Sequence, residues 1–163
     1  MTERMSRLVR AGLLTGVTDG LFATVQSAVT PGSTVIRLWQ GVASTILGKS
    51  AYDGGVSTAL VGVLMHFCVA FAWSAVFLFV VMRSPSVRRA VSSTSGVIGI
   101  ASLYGPFIWL VMSLVVIPLL VHRPPSITSR WWIQLIGHIP FVGLPIVASI
   151  ANGGAKGETG QRA

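Results

Sequence analysis

The feature that most constrains this chain is the stretch from Gly54 to Met82, 29 residues without a Lys, Arg, Asp or Glu. A bilayer core takes about 20 apolar residues in helical form. The stretch therefore reads as a membrane-spanning helix and not as the buried helix of a soluble domain. Near its middle stands His66, in G-V-L-M-H-F-C-V-A-F-A-W. Gly55, Ala59, Gly62, His66 and Ala70 recur at helical steps and share one face, which is small apart from the imidazole. Leu60, Val61, Phe67, Phe71 and Leu78 cover the rest of the surface. A small face is where a second helix approaches closely, so His66 is expected to point into protein and not into lipid.

Three more spans follow from the same logic. The expected segments are 11–30, 56–82, 91–120 and 131–151, within one membrane domain over 11–152. Residues 1–10 read as a basic cytoplasmic tail and 153–163 as a disordered cytoplasmic tail. The basic start and apolar run resemble a signal peptide, but the run is too long, Asp19 interrupts it and no clean cleavage site follows. Gly12, Gly16 and Gly20 make a doubled G-x-x-x-G, a close-packing face for another helix of the same chain or for a second copy. Asp19 lies beside that face, with Gln26 farther along.

Between the first two spans, residues 33–47 alternate as a short amphipathic helix. Val35, Leu38, Trp39, Val42 and Ile46 form its apolar side, and Arg37, Gln40 and Ser44 its polar side. It is too short to span and is expected at the interface. Ser33 or Thr34 can cap it, Gly48 can end it, and Asp53 can cap the second span. Pro106 is expected to kink the third span, and Pro140 and Pro145 to distort the fourth. Trp131-Trp132 reads as an interfacial aromatic pair. The fold class is thus all-α, a four-helix membrane bundle with one interfacial helix.

Only 10% of the chain is charged, against about 25% in soluble domains. The net charge of +8 sits between the apolar runs and so reports topology, not nucleic-acid binding. Arg4, Arg7, Arg10, Arg83, Arg88, Arg89, Lys156 and Arg162 fall on one side; Arg37, Lys49, Arg123 and Arg130 fall on the other. The richer side is expected in the cytoplasm, with both termini, and the location in a bacterial cytoplasmic membrane. The single cysteine, Cys68, excludes a disulfide within one chain.

At about 1.5 Å per residue, Asp19, His66 and His138 fall at comparable depth near the bilayer midplane, with Tyr104 near the middle of the third span and Gln134 one turn from His138. An ionisable group there costs several kcal/mol unless paired. Asp19 and the two histidines are therefore expected to meet, with Tyr104 or Gln26 beside them. A structure with Asp19 toward lipid would contradict this. Such a cluster has three uses. A structural or accessory role, in which the groups satisfy one another, ranks first. A small proton-linked transporter or channel ranks second, working as a homodimer or within a larger complex. Third is electron transfer, with His66 and His138 as axial ligands of a b-type haem or holding a quinone head. No catalytic triad, zinc-protease motif or phosphate loop is present, and only one carboxylate lies within the spans, so no enzyme is expected. Arg37 with Gln40 can meet a lipid phosphate or an anionic solute, or form a solvated helix side.

The order Asp19, R-L-W-Q-G-V-A-S at 37–44, A-Y-D-G-G at 51–55, G-V-L-M-H at 62–66, Y-G at 104–105 and M-S-L-V-V-I-P at 112–118 resembles a widespread group of uncharacterised four-span bacterial inner-membrane proteins. The resemblance covers about 11–150 and implies a fold and a location, with no activity attached. It marks Asp19, Arg37, Gln40, His66 and Tyr104 as a set. Ser113 departs from the group's pattern, which has Asn there.

Overall fold

A computed structural model describes residues 2–151. Among the described residues six α-helices make up the fold, with a 3-10 turn at Gly48–Tyr52: α1 (Glu3–Ala28), α2 (Val35–Leu47), α3 (Gly55–Arg83), α4 (Pro85–Ala90), α5 (Thr94–Val121) and α6 (Ser129–Ala151). The chain is therefore all-α, and α1, α3, α5 and α6 are each long and apolar enough to cross a membrane. Their outer surfaces carry exposed Leu13, Leu21, Leu60, Leu64, Leu103 and Leu119. A bilayer hides such a surface and water does not. This is a multi-pass membrane protein.

The helix ends show which sequence signals win. Thr34 caps α2, its hydroxyl accepting from Arg37 N at 3.1 Å, and Gly48 ends it at φ 66°. α1 starts at Glu3, not near Ala11, so most of the expected basic tail is helical. Thr2 caps it, and Glu3 pairs with Arg7 one turn on. Arg7 and Arg10 donate to the carbonyls of Ile150 and Ser149, tying α1 to the closing turn of α6. Asp53 does not cap α3; Gly54 takes that position without a side-chain bond. The basic connection 83–89 contains α4, with Ser84 as its cap and Pro85 in its first turn. The expected disordered tail at 153–163 lies outside the described residues.

Proline acts at two wide turns. Pro106 lies within regular helix, and the departure from α geometry is a π turn at Met112–Val116, ahead of Pro118. A second π turn, Ile139–Gly143, contains Pro140. A proline removes the donor for the carbonyl four residues back. Pro145 does this to Phe141, whose carbonyl accepts instead from Thr18 Oγ1 of α1 at 2.6 Å.

In the bundle α1 packs between α3 and α6, and α5 packs on α6. α3 and α5 meet through aromatic rings: Tyr104 Oη donates to the Trp73 carbonyl at 2.8 Å, and its ring packs on Phe77. α2 lies across α3 and reaches the end of α5. The helices approach most closely at glycine. A β-carbon on Gly62 would strike the Trp39 carbonyl of α2, and one on Gly105 would strike the His138 carbonyl of α6. The glycine repeat of α1 is used inside the chain, with Phe71 over Gly12, Phe67 over Gly16 and His66 near Gly20. The aromatic residues Phe67 and Phe71 thus sit against α1.

The two ends of the bundle differ. Toward α4 the interior holds an apolar core, with Ala11, Phe77, Ala101, Ile146, Val147 and Ile150 buried together. Toward α2 it holds the polar groups described next.

Candidate functional site

Asp19, His66 and His138 each lie about 14–16 Å from the α2 end of their helices, at about 1.5 Å rise per residue. They come from α1, α3 and α6, and all three line one cavity of about 300 Å³. α2 roofs it with Leu38, Trp39 and Val42, while α5 adds Ile108, Trp109 and Met112. Every spanning helix thus contributes to its wall.

His66 points into the protein, as its small helical face requires. Its Nε2 lies 3.0 Å from the Gly16 carbonyl oxygen. A carbonyl only accepts, so this nitrogen carries the proton. Gly20 leaves room for the ring, since a β-carbon there would come 3.4 Å from Nε2. The other nitrogen, Nδ1, faces Asp19 Oδ2 at 3.9 Å, near enough for charge interaction and too far for a hydrogen bond. The Trp39 ring meets the imidazole edge-on at 5.3 Å.

His138 is built the same way on α6. Its Nδ1 lies 2.8 Å from the Gln134 carbonyl oxygen and so donates to it, and the Trp109 ring packs 4.8 Å away. Gln134 in turn donates from Nε2 to Gln26 Oε1 of α1 at 2.6 Å. Above this pair Arg130 reaches both the Gln26 carbonyl and the Thr30 hydroxyl. Arg130, Gln134 and His138 are spaced four apart on α6, opposite Gln26 on α1 and Thr30 just past its end. Together they make a polar seam from the α2 end of the bundle to the cavity.

The pairing inside the cavity is incomplete. Asp19 Oδ1, Thr15 Oγ1 and Trp109 Nε1 are all buried without a hydrogen-bond partner among the described residues, and all belong to cavity-lining side chains. Thr15 lies one turn from Asp19 on the same face of α1. Neither Thr15 nor the trio Trp39, Trp73 and Trp109 was singled out from sequence as part of a site. The four-residue step from Thr15 to Asp19 was the available signal.

Other residues expected with the cluster lie elsewhere. Tyr104 is spent on the Trp73 carbonyl and does not line the cavity. Gln40 is buried and not on a solvated face: its Nε2 donates to the Gly55 carbonyl at 3.0 Å, locking α2 to the start of α3. Arg37 leaves Gln40 and lies over the Tyr52 ring at 5.4 Å. Of the two adjacent tryptophans, Trp132 is 55% exposed, whereas Trp131 is buried and donates to Ser113 Oγ at 3.0 Å. The serine that departs from the resembled pattern thus holds the third and fourth spans together.

For cofactors, no group of three His, Cys, Asp or Glu converges as a metal site among the described residues. To serve as a haem ligand, His66 Nε2 would have to leave the Gly16 carbonyl. Comparison with known proteins finds no matching family model, no similar curated protein and no similar solved structure.

Proposed function

We propose that this protein is a small proton-linked carrier whose central cavity takes up and releases a proton at the Asp19–His66 pair. The observation that supports this most is the unpartnered Oδ1 of Asp19, a residue that lines a cavity bounded by all four spans. A cluster kept only for stability would be expected to close its hydrogen bonds, because an orphaned buried acceptor costs about 1–3 kcal/mol.

The proton count favours the same reading. His66 commits its Nε2 proton to Gly16, which leaves Nδ1 as the nitrogen facing the carboxylate. One further proton makes that pair neutral overall, either on the carboxyl or between imidazolium and carboxylate. Losing it leaves a bare carboxylate beside a lone pair, a state suited to binding something else. The seam through Gln134 and Gln26 supplies a route toward the α2 end, and the apolar packing around Ile146, Val147 and Ile150 closes the other.

By the distribution of Lys and Arg, the α4 end faces the cytoplasm of a bacterial cell and the α2 end faces outward. Four spans are few for a carrier, so the working form is a homodimer or larger complex, built on faces other than the occupied glycine repeat of α1.

Infrared difference spectra of the protein in lipid, between acidic and alkaline buffer, test the proton site. A carboxyl band that changes with pH and vanishes in Asp19→Asn is expected. A spectrum with no such band, or one unchanged in Asp19→Asn, would refute it. A substitution of His66 to Gln should move the transition without removing the band.

A further inference from the structure

We infer that the central cavity binds a small organic cation, a protonated amine with an apolar body, in exchange for the proton at Asp19. This deepens the proton-linked reading above and rests on it.

The first argument is the polarity of the free hydrogen-bonding positions. Each histidine spends an N–H on a backbone carbonyl, His66 on Gly16 and His138 on Gln134. In its neutral form each then has only an acceptor lone pair left. Asp19 Oδ1 is an acceptor as well, and Thr15 Oγ1 can accept. Two unpartnered groups of cavity-lining residues can donate, Trp109 Nε1 and the Thr15 hydroxyl, which can also accept. A wall rich in acceptors selects a ligand rich in donors. It disfavours carboxylates and phosphates, whose own acceptors would face Asp19.

The second argument is the aromatic content. Trp39, Trp73 and Trp109 reach the cavity from three different helices. Tryptophan faces attract ammonium groups, and most strongly where water is excluded. One carboxylate among three indoles matches a monocation. The Trp109 N–H suits a ligand carrying an oxygen acceptor besides its amine. A volume of about 300 Å³ admits a single-ring arylalkyl amine and excludes large amphiphiles.

Charge balance fixes the coupling. The titratable groups lining the cavity are Asp19 from α1, His66 from α3 and His138 from α6; α2 and α5 contribute none. When the amine enters, its N–H donates to Asp19 and the proton held by the Asp19–His66 pair leaves to solvent. One positive charge replaces another, and the desolvated site stays neutral. Acidic conditions refill the pair and expel the amine.

The test compares three probes of nearly equal shape in calorimetric titrations of the full chain in detergent. Tyramine is the cation, tyrosol its neutral counterpart and 4-hydroxyphenylpropionate the anion. Tyramine should bind about tenfold or more tightly than tyrosol, and the anion should not bind. Repeating the tyramine titration in buffers of different ionisation enthalpy should show a proton released for each amine bound. In Asp19→Asn the preference for tyramine over tyrosol and the proton release should both disappear. Equal affinity for tyramine and tyrosol, tighter binding of the anion, amine binding without proton release, or no binding of any probe would each overturn the inference. The comparison in the unmodified protein does not depend on any variant folding. If the infrared signature of Asp19 persists while the probes show no preference for the cation, the proton site stands and the ligand class falls. If that signature is missing, the proton-linked reading itself fails.

Discussion

Replacing Gly62 by alanine adds one methyl group where α2 crosses α3. The new β-carbon would overlap the Trp39 carbonyl oxygen and come within 3.2 Å of Ala43 N. Both are backbone atoms of a regular helix, so neither can swing aside as a side-chain tip can. Overpacking of this kind costs about 1–3 kcal/mol. Alanine in place of a helical glycine returns about 0.5–1 kcal/mol. The balance is a net loss of up to about 2.5 kcal/mol, or a lifted α2. Gly99 is the control: it too is helical, and nothing lies within 4 Å of its β position. Gly99→Ala should therefore gain about 0.5–1 kcal/mol. Reversible denaturation in mixed micelles reads both, and the midpoints should move in opposite directions. Tryptophan emission should change in Gly62→Ala, because Trp39 roofs the cavity. If both variants shift the same way and the emission is unaltered, α2 is not seated on Gly62.

Other bonds yield sharper local tests. Thr18→Val should cost about 1–2 kcal/mol, because the Phe141 carbonyl, which Pro145 cannot serve, loses the Thr18 hydroxyl; unchanged unfolding would refute that role. A double-mutant cycle on Gln26→Leu and Gln134→Leu should show a coupling of about 0.5–1.5 kcal/mol, the range found between membrane helices. Ser113→Ala and Trp131→Phe should each destabilise by about 1 kcal/mol and fail to add, since they break one hydrogen bond. Additive losses would mean the two residues act separately.

The spans, the interfacial helix and its Thr34 and Gly48 ends were legible because length, apolar content and capping are local properties of the chain. The convergence of Asp19 and His66 was legible too, since similar depth and small helical faces leave few other ways to shelter charge in a membrane. What stayed hidden depends on tertiary pairing. Gln40 shares a helical side with Arg37, and only the position of Gly55 shows that it turns inward. Tyr104 has a midspan polar group like the histidines, yet a carbonyl on α3 claims it first. That Trp39, Trp73 and Trp109 line one cavity could not be read from spacing, because they come from three helices. α4 was missed because a six-residue helix makes too few turns to show a period.

The contrast between the apolar core toward α4 and the cavity toward α2 has a mechanical meaning. Hydrostatic pressure acts on void volume, and the cavity beneath α2 supplies about 300 Å³ of it. The α4 half is braced by Arg7 and Arg10 on the last carbonyls of α6 and by Arg88 on those of α3. Squeezed, the molecule should yield like a vault whose roof sags onto standing walls.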